Sequence, residues 1–302
     1  MTPPDEPDPG LDDFVRHRDL LFTIAYEITG SVADAEDVVQ ESYLRWQDAV
    51  AGGTGIRNPR AYLARIATRQ ALNRNRGNAR RREEYVGPWL PEPLVTVPDV
   101  AQDVVLADSV SMAMMIVLDS LTPDERAVFV LREVFAFGHD EIAQAIGKSP
   151  AAVRQIAHRA RSGVQSRRPE LDAPQTPAAQ QVAAKFLHAA ATGDLQDLLD
   201  VLAPDVVLTS DSGGKVSANL RPVRSADKVG RFLVGIRGKY GAGQIRYELA
   251  LVNGRPGVLV FVDDVLDTVT TWDVADDRIS AIYLVRNPDK VGSASAPRAV
   301  TR

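Results

Sequence analysis

The stretch from Leu121 to Arg168, LTPDERAVFVLREVFAFGHDEIAQAIGKSPAAVRQIAHRARSGVQSRR, restricts the folds open to this chain more than any other. Thr122 and Glu125 form a capping box with Pro123 at the first helical position, so a helix starts there. Val128, Leu131 and Phe135 follow at helical spacing as a stripe for burial, which leaves Asp124, Arg126 and Glu133 to water. A second helix, His139 to Ile146, buries Ile142, Ala145 and Ile146, and Gly147 provides a permissive C-cap. Ser149 and Pro150 restart a helix with an N-cap hydroxyl and an N1 proline, and Val153, Ile156 and Ala157 point back to its predecessor. The pattern is a helix-turn-helix.

The outward positions of the third helix include Lys148, Ser149, Arg154, Gln155, His158 and Arg159, and no acid occurs between Ile142 and Pro169. Phosphates require cations and groove edges require forked donors and amides, so this face suits duplex DNA. A solvated basic helix in an ordinary bundle is the plainer alternative. The net charge of -5 does not oppose a nucleic-acid role, because the charge is segregated along the chain. Residues 1–48 carry twelve acids against three arginines, whereas residues 57–82 carry nine arginines and no acid. The reversal suggests two faces with two partners, the basic one being nucleic acid; solvent alone could also explain either face.

The composition narrows the chemistry. With no Cys, disulfides, thiolate metal sites and cysteine nucleophiles are absent, and four His make a multi-histidine metal site improbable. No apolar run approaches the roughly 20 residues that span a bilayer, and the proline-rich, acidic start is unlike a signal peptide, so a cytoplasmic location is expected.

In chain order, residues 1–10 read as a disordered leader. Leu11 to Ile28 is an amphipathic helix, and Asp34 to Gln47 is a second whose outer face bears Asp34, Asp37, Gln40, Glu41 and Arg45. A glycine loop, AGGTGIRN, precedes an Arg-rich helix from Pro59. Residues 83–102 form a proline-rich linker in which Tyr85, Trp89, Leu90 and Leu94 are too apolar for a simple tether. A helix from Asp103 to Leu118 packs on the helix-turn-helix, with Met112, Met114 and Met115 as core filler. After a second linker at 169–177 an α+β domain over 178–291 is expected. Its helices cover Gln175 to Ala191, Leu195 to Leu202 and Ser225 to Tyr240. Its strands cover Asp205 to Ser210, Gln244 to Asn253, Val258 to Trp272 and Arg278 to Arg286, with a hairpin turn at Ser212 to Gly214 and a curved antiparallel sheet over the helices. Residues 292–302 read as a disordered tail.

DAEDVVQESYLRW (34–46), NPRAYLARIATRQALNRNR (58–76) and the helix-turn-helix stretch resemble regions 2 and 4 of group IV, extracytoplasmic-function (ECF) sigma factors, over about residues 11–168. WLPEP (89–93), DSGGK (211–215) and NPDK (287–290) resemble the subgroup with a SnoaL-like, NTF2-like C-terminal extension. Two positions depart from the usual pattern: Ser212, where the subgroup commonly has Gly, and Arg69, where the family often has Asn.

The resemblance implies a multidomain chain: two all-α sigma domains, a region 2 helical bundle over 11–82 and a region 4 helix-turn-helix over 103–168, plus the α+β NTF2-like domain. It implies core RNA polymerase (β′ coiled coil and β subunit) and promoter DNA as partners, with no membrane and no cofactor or metal. The acidic helix residues Asp34, Asp37, Gln40, Glu41 and Arg45 would bind polymerase. Gly52, Gly53, Arg57, Arg65, Arg69, Asn73, Arg74 and Arg76 would hold the opened minus-10 element, and Lys148, Ser149, Arg154, Gln155, His158 and Arg159 the minus-35 duplex. Trp89, Leu90, Pro91, Glu92 and Pro93 in the linker, with Asp211, Gly213, Gly214, Lys215, Asn287, Pro288, Asp289 and Lys290, would form an intramolecular regulatory contact. NTF2-like folds also include enzymes, for which His188, Asp205, Asp211, Asp263 and Asp267 are candidate bases and Tyr283 a candidate donor, although no two sit at a diagnostic spacing. Alternatives are a helix-turn-helix repressor with a ligand domain, or a sigma factor whose C-terminal domain retains enzymatic activity.

Overall fold

A computed structural model describes residues 10–97, 103–167, 177–239 and 244–302. The leader over 1–9 and nearly all of the linker over 169–177 lie outside them. The chain divides into two contact units: residues 1–80, 118–167 and 300–302, and residues 81–117 and 168–299.

The first unit holds α1 (Leu11–Thr29), α2 (Val32–Ala51), most of α3 (Pro59–Glu83) and the helix-turn-helix. Gly30, at φ 73°, ends α1, and the Ser31 hydroxyl accepts from the Asp34 N–H to start α2. The capping box at Thr122 opens α6 (Pro123–Phe129), which runs into a π-helical turn at Val130–Val134. α7 (His139–Ile146) ends at Gly147, φ 72°, and α8 (Pro150–Gln165) begins with the Ser149 hydroxyl accepting from Ala152 N–H. Arg126 corrects the expectation of a water-facing residue. It is 1% exposed, pairs with Asp119 and donates to the Glu27 carbonyl at 2.6 Å, tying α6 to α1.

The second unit is built on a seven-stranded sheet of order β1-β4-β5-β6-β7-β2-β3 among the described residues. The strands are β1 (Val95–Thr96), β2 (Leu202–Asp211), β3 (Val223–Arg224), β4 (Ile245–Val252), β5 (Arg255–Val262), β6 (Val265–Ala275) and β7 (Arg278–Val285). Helices α9 (Pro177–Thr192), α10 (Leu195–Val201) and α11 (Ala226–Arg237) cover one face.

Several expectations are corrected here. The sheet is mixed, since β2 runs parallel to β7, and β3 pairs with β2 only after a loop longer than the predicted hairpin turn. The run from Val258 to Trp272 is two strands, because Asp263 and Asp264 both adopt positive φ, 49° and 61°. Asn253–Gly254 and Asp276–Asp277 make the same left-handed pair, the geometry that matches hairpin twist and favours Asn, Asp and Gly. The predicted linker supplies β1, paired with β4 at Val95↔Val252. The predicted helix at 103–118 breaks into α4 (Val104–Ser109) and α5 (Met112–Asp119) at Val110, whose carbonyl accepts from buried Asn253 at 2.7 Å. Residues 103–117 group with the sheet rather than the helix-turn-helix, and Met112 packs among sheet side chains. The tail is ordered. After α12 (Pro288–Val291) a 3-10 turn buries Ala294, and Arg298 N–H donates to Val95 O at 2.9 Å and its carbonyl accepts from Val97 N–H at 3.2 Å.

Candidate functional site

Each predicted surface of the first unit is placed by a buried stripe on its own helix. On α8, burial of Val153, Ile156, Ala157 and Ala160 leaves Arg154, Gln155, His158 and Arg159 exposed, with Lys148 and Ser149 exposed just before the helix. Among the described residues Arg154, Gln155 and His158 have no side-chain partner, so their donors face solvent. Arg159 is held at 3.1 Å by Glu125, and Lys148 at 3.1 Å by Asp124.

The Arg-rich helix is less free than its charge suggests. Arg69 donates to the Gln144 and Ala145 carbonyls at 2.7 and 3.1 Å, a cation at the C-terminus of α7. Arg76 pairs with Asp124 at 2.7 Å. Burial raises the Asp124 carboxyl, but hydrogen bonds from Arg76 and Lys148 outweigh it and hold the group below its ordinary value. Arg74 turns to the acidic face of α2, 3.1 Å from Asp37 and in contact with Glu41. Asn78 donates to Asp34 at 2.6 Å. Among the predicted polymerase-facing residues, therefore, Asp34, Asp37 and Glu41 are partly neutralised from within, whereas Gln40 and Arg45 stand exposed. Gly52, Gly53 and Arg57 sit in an exposed loop, Asn73 is exposed, and Arg65 stacks on Tyr62 at 4.8 Å.

In the second unit the three short motifs meet at one buried cation. Lys290, 3% exposed, donates to Asp211 Oδ2 at 2.7 Å and to the Leu90 carbonyl at 2.6 Å, and its ammonium lies 3.3 Å from the centre of the Trp89 ring. Asp211, fully buried, also accepts the Leu90 N–H at 2.8 Å and the Tyr85 hydroxyl. Asn287 donates to the Tyr85 oxygen at 2.7 Å while its own carbonyl oxygen accepts from Asp289 N–H, so one side chain caps α12 at Pro288 and holds the linker. Burial, and then the neighbouring Asp211 carboxylate, push the Tyr85 phenol well above its ordinary value.

The glycines are required sterically. Gly213 and Gly214 have φ of 59° and 70°, and a Cβ on Gly213 would come within 2.6 Å of Asn287 Nδ2. Ser212, at the position of the departure, needs no positive φ and is buried without disturbing the turn. Lys215 pairs with Asp289 at the surface. Leu90, Pro91 and Pro93 are buried and Glu92 is half-buried.

Tyr85 and Asn253 were not singled out as site residues by sequence. Asn253 accepts the Leu94 N–H at 3.0 Å and so fixes the linker as a strand, yet in sequence it is only the first half of an Asn-Gly turn. The candidate catalytic residues do not converge. Asp205 and Asp263 are exposed, Asp211 is engaged by Lys290, and Tyr283 donates to buried Asp273 at 2.8 Å. Only His188 and Asp267 share a cavity.

Regions 2 and 4 of the sigma-70 type define the class. The sigma-70 region 2 family matches residues 14–81 and the sigma-70 region 4 family matches residues 112–162. The chain is 40% identical over 291 residues to the ECF RNA polymerase sigma factor SigJ of Mycobacterium tuberculosis, covering 93% of this chain and 92% of that one. It is 32% identical to the probable ECF RNA polymerase sigma factor SigI of the same species, covering 90% and 91%. The crystal structure of SigJ superposes with a TM-score of 0.75 at 38% identity, covering 94% of this chain and 99% of that one. The chain belongs to the ECF RNA polymerase sigma factors, a family of transcription initiation factors and not of enzymes. This membership sets aside the free-standing repressor. No helix among the described residues is long and apolar enough to cross a membrane.

Proposed function

We propose that this ECF sigma factor grips the β′ coiled coil of core RNA polymerase through α2, has the β subunit as a further partner, and reads the minus-35 duplex with α8. The observation that carries the reading is the unpaired Arg154, Gln155 and His158 face of α8, displayed by a helix whose opposite side is fully buried. Arg suits guanine through O6 and N7, and Gln suits adenine through N6 and N7. The exposed glycine loop and the Arg65 to Arg76 face of α3 serve the opened minus-10 strand, where cations hold the backbone and pockets capture bases. Arg69 and Arg76 must first leave the α7 carbonyls and Asp124, so promoter engagement competes with internal contacts. The polymerase places the working protein in the cytoplasm.

The C-terminal domain acts as a regulator by holding the linker through Lys290 and Asp211. Run-off transcription with core polymerase tests the whole reading: the chain directs promoter-specific initiation, and truncation after Arg168 changes its level. Arg154→Ala weakens minus-35 binding by about 1–3 kcal/mol and relaxes one base position. Failure of both the full and the truncated chain to support any specific transcript contradicts the assignment.

A further inference from the structure

The helix-covered face of the sheet is packed around Phe186 and Trp272, yet part of it is left open. Between α9, α11 and strands β4 to β7 lies a cavity of about 500 Å³, open at one side. Folded interiors are close-packed, and voids much larger than a water molecule are few. A cavity of this size, walled by apolar side chains with a few polar groups, has the dimensions of a small-molecule site. Its floor is Val258, Val260, Trp272, Ile282 and Leu284. Leu249 on β4, at the cavity wall, is 76% exposed.

The charges on the wall do not cancel. Asp267 is matched by Arg286, which grips both carboxylate oxygens at 2.8 and 3.0 Å, so this pair contributes no net charge. Arg237, in the last turn of α11, also lines the cavity, and its guanidinium Nε donates to the Ala191 carbonyl at 3.3 Å. No carboxylate pairs with it among the described residues. Tyr247 stands opposite on β4, near enough for the Arg237 charge to offset part of the effect of burial on its phenol. A half-buried cation beside an apolar chamber is complementary to an anion carrying an apolar body.

We infer that this cavity binds a small organic acid, an apolar chain or ring system bearing one carboxylate, with the carboxylate at Arg237 and the apolar body over Trp272 and Leu284. The inference concerns the C-terminal domain alone and stands whether or not the linker contact regulates transcription.

The test is fluorescence titration of the full-length protein with cis-parinaric acid and, in parallel, its methyl ester, which has the same body without the charge. The acid binds saturably with one site per chain and about tenfold more tightly than the ester. Arg237→Gln lowers acid affinity to that of the ester and leaves the ester unchanged. Ala190→Phe, which fills the chamber from α9, removes both; Val260→Phe does the same from the floor and serves if the first variant fails to fold. Equal affinity of acid and ester for the unaltered protein overturns the carboxylate assignment. Binding that persists in both filled variants, each folded by circular dichroism, places the probe elsewhere and overturns the site.

Discussion

One β-sheet has two faces, and they have opposite fates. Along β5, β6 and β7 alternate side chains point to opposite sides. Leu259, Val269, Tyr283 and Val285 meet Leu90, Val95 and Met112 from the chain's own linker and α5, and are buried in a filled cluster. Val258, Val260, Trp272, Ile282 and Leu284, one residue out of step, pack toward Phe186 of α9 and Val229 of α11 and also border a chamber. On the linker-covered face Tyr283 pairs with Asp273, Asp211 with Lys290, and Asn253 with Leu94 and Val110, while the Trp89 indole N–H has no hydrogen-bond partner among the described residues. On the chamber face Arg237 has no carboxylate partner among the described residues. An internal partner travels with the chain at high effective concentration and keeps its surface closed; a surface without one stays available to a molecule from outside.

The largest effect that separates the faces should come from Lys290→Met. It strands the fully buried Asp211 carboxylate, a loss of about 3–5 kcal/mol in chemical denaturation. A loss below about 1 kcal/mol would mean that the linker is not seated on Lys290 in solution.

A matched pair of truncations comes next. Leu90→Ala removes a side chain 1% exposed in a packed cluster, whereas Leu284→Ala removes one that borders existing space. Both lose the transfer energy of the removed atoms, but only the first creates a new void, so Leu90→Ala should cost about 3–5 kcal/mol and Leu284→Ala about 2–3 kcal/mol. The reverse order would break the comparison.

The smallest effect concerns Asp267. Burial raises its carboxyl, but the Arg286 and Thr268 hydrogen bonds hold it below its ordinary 3.8. A depressed value contributes stability that is present above the ordinary value and lost as pH falls through the native one. Asp267→Asn should therefore cost up to about 1 kcal/mol at pH 7. Its thermal midpoint should converge on that of the unaltered protein as the pH is lowered toward 3; a gap that widens on acidification contradicts the pairing.

Much of this was legible in the sequence because local signals determined it. The capping box at Thr122, the glycine at 147 and the Ser149-Pro150 restart all appear where the spacing put them. The linker's apolar residues announced that it would dock. What it docks on was not readable bottom-up, since Tyr85, Leu90, Asp211 and Lys290 meet over sequence separations of 79 to 200 residues. Arg126 misled for the same reason: on its own helix it occupies an outward position, and only the Glu27 carbonyl and Asp119 explain its burial. The run at 258–272 hid a hairpin because Asp263-Asp264 lacks the glycine that usually marks one, although both residues take the positive φ that Asp tolerates. The hollow left no signal at all, because an apolar strand position reads the same whether a helix or empty space lies opposite.

Hydrogen–deuterium exchange on the full-length protein, with and without cis-parinaric acid, tests the contrast between the faces most directly. The account predicts that the amides of residues 89–96 are protected before any addition and unchanged by it, while those of α9 and α11 around Ala190 and Arg237 gain protection only when the acid is present. A linker segment that exchanges like an open chain, or helices whose exchange the acid leaves untouched, would contradict it.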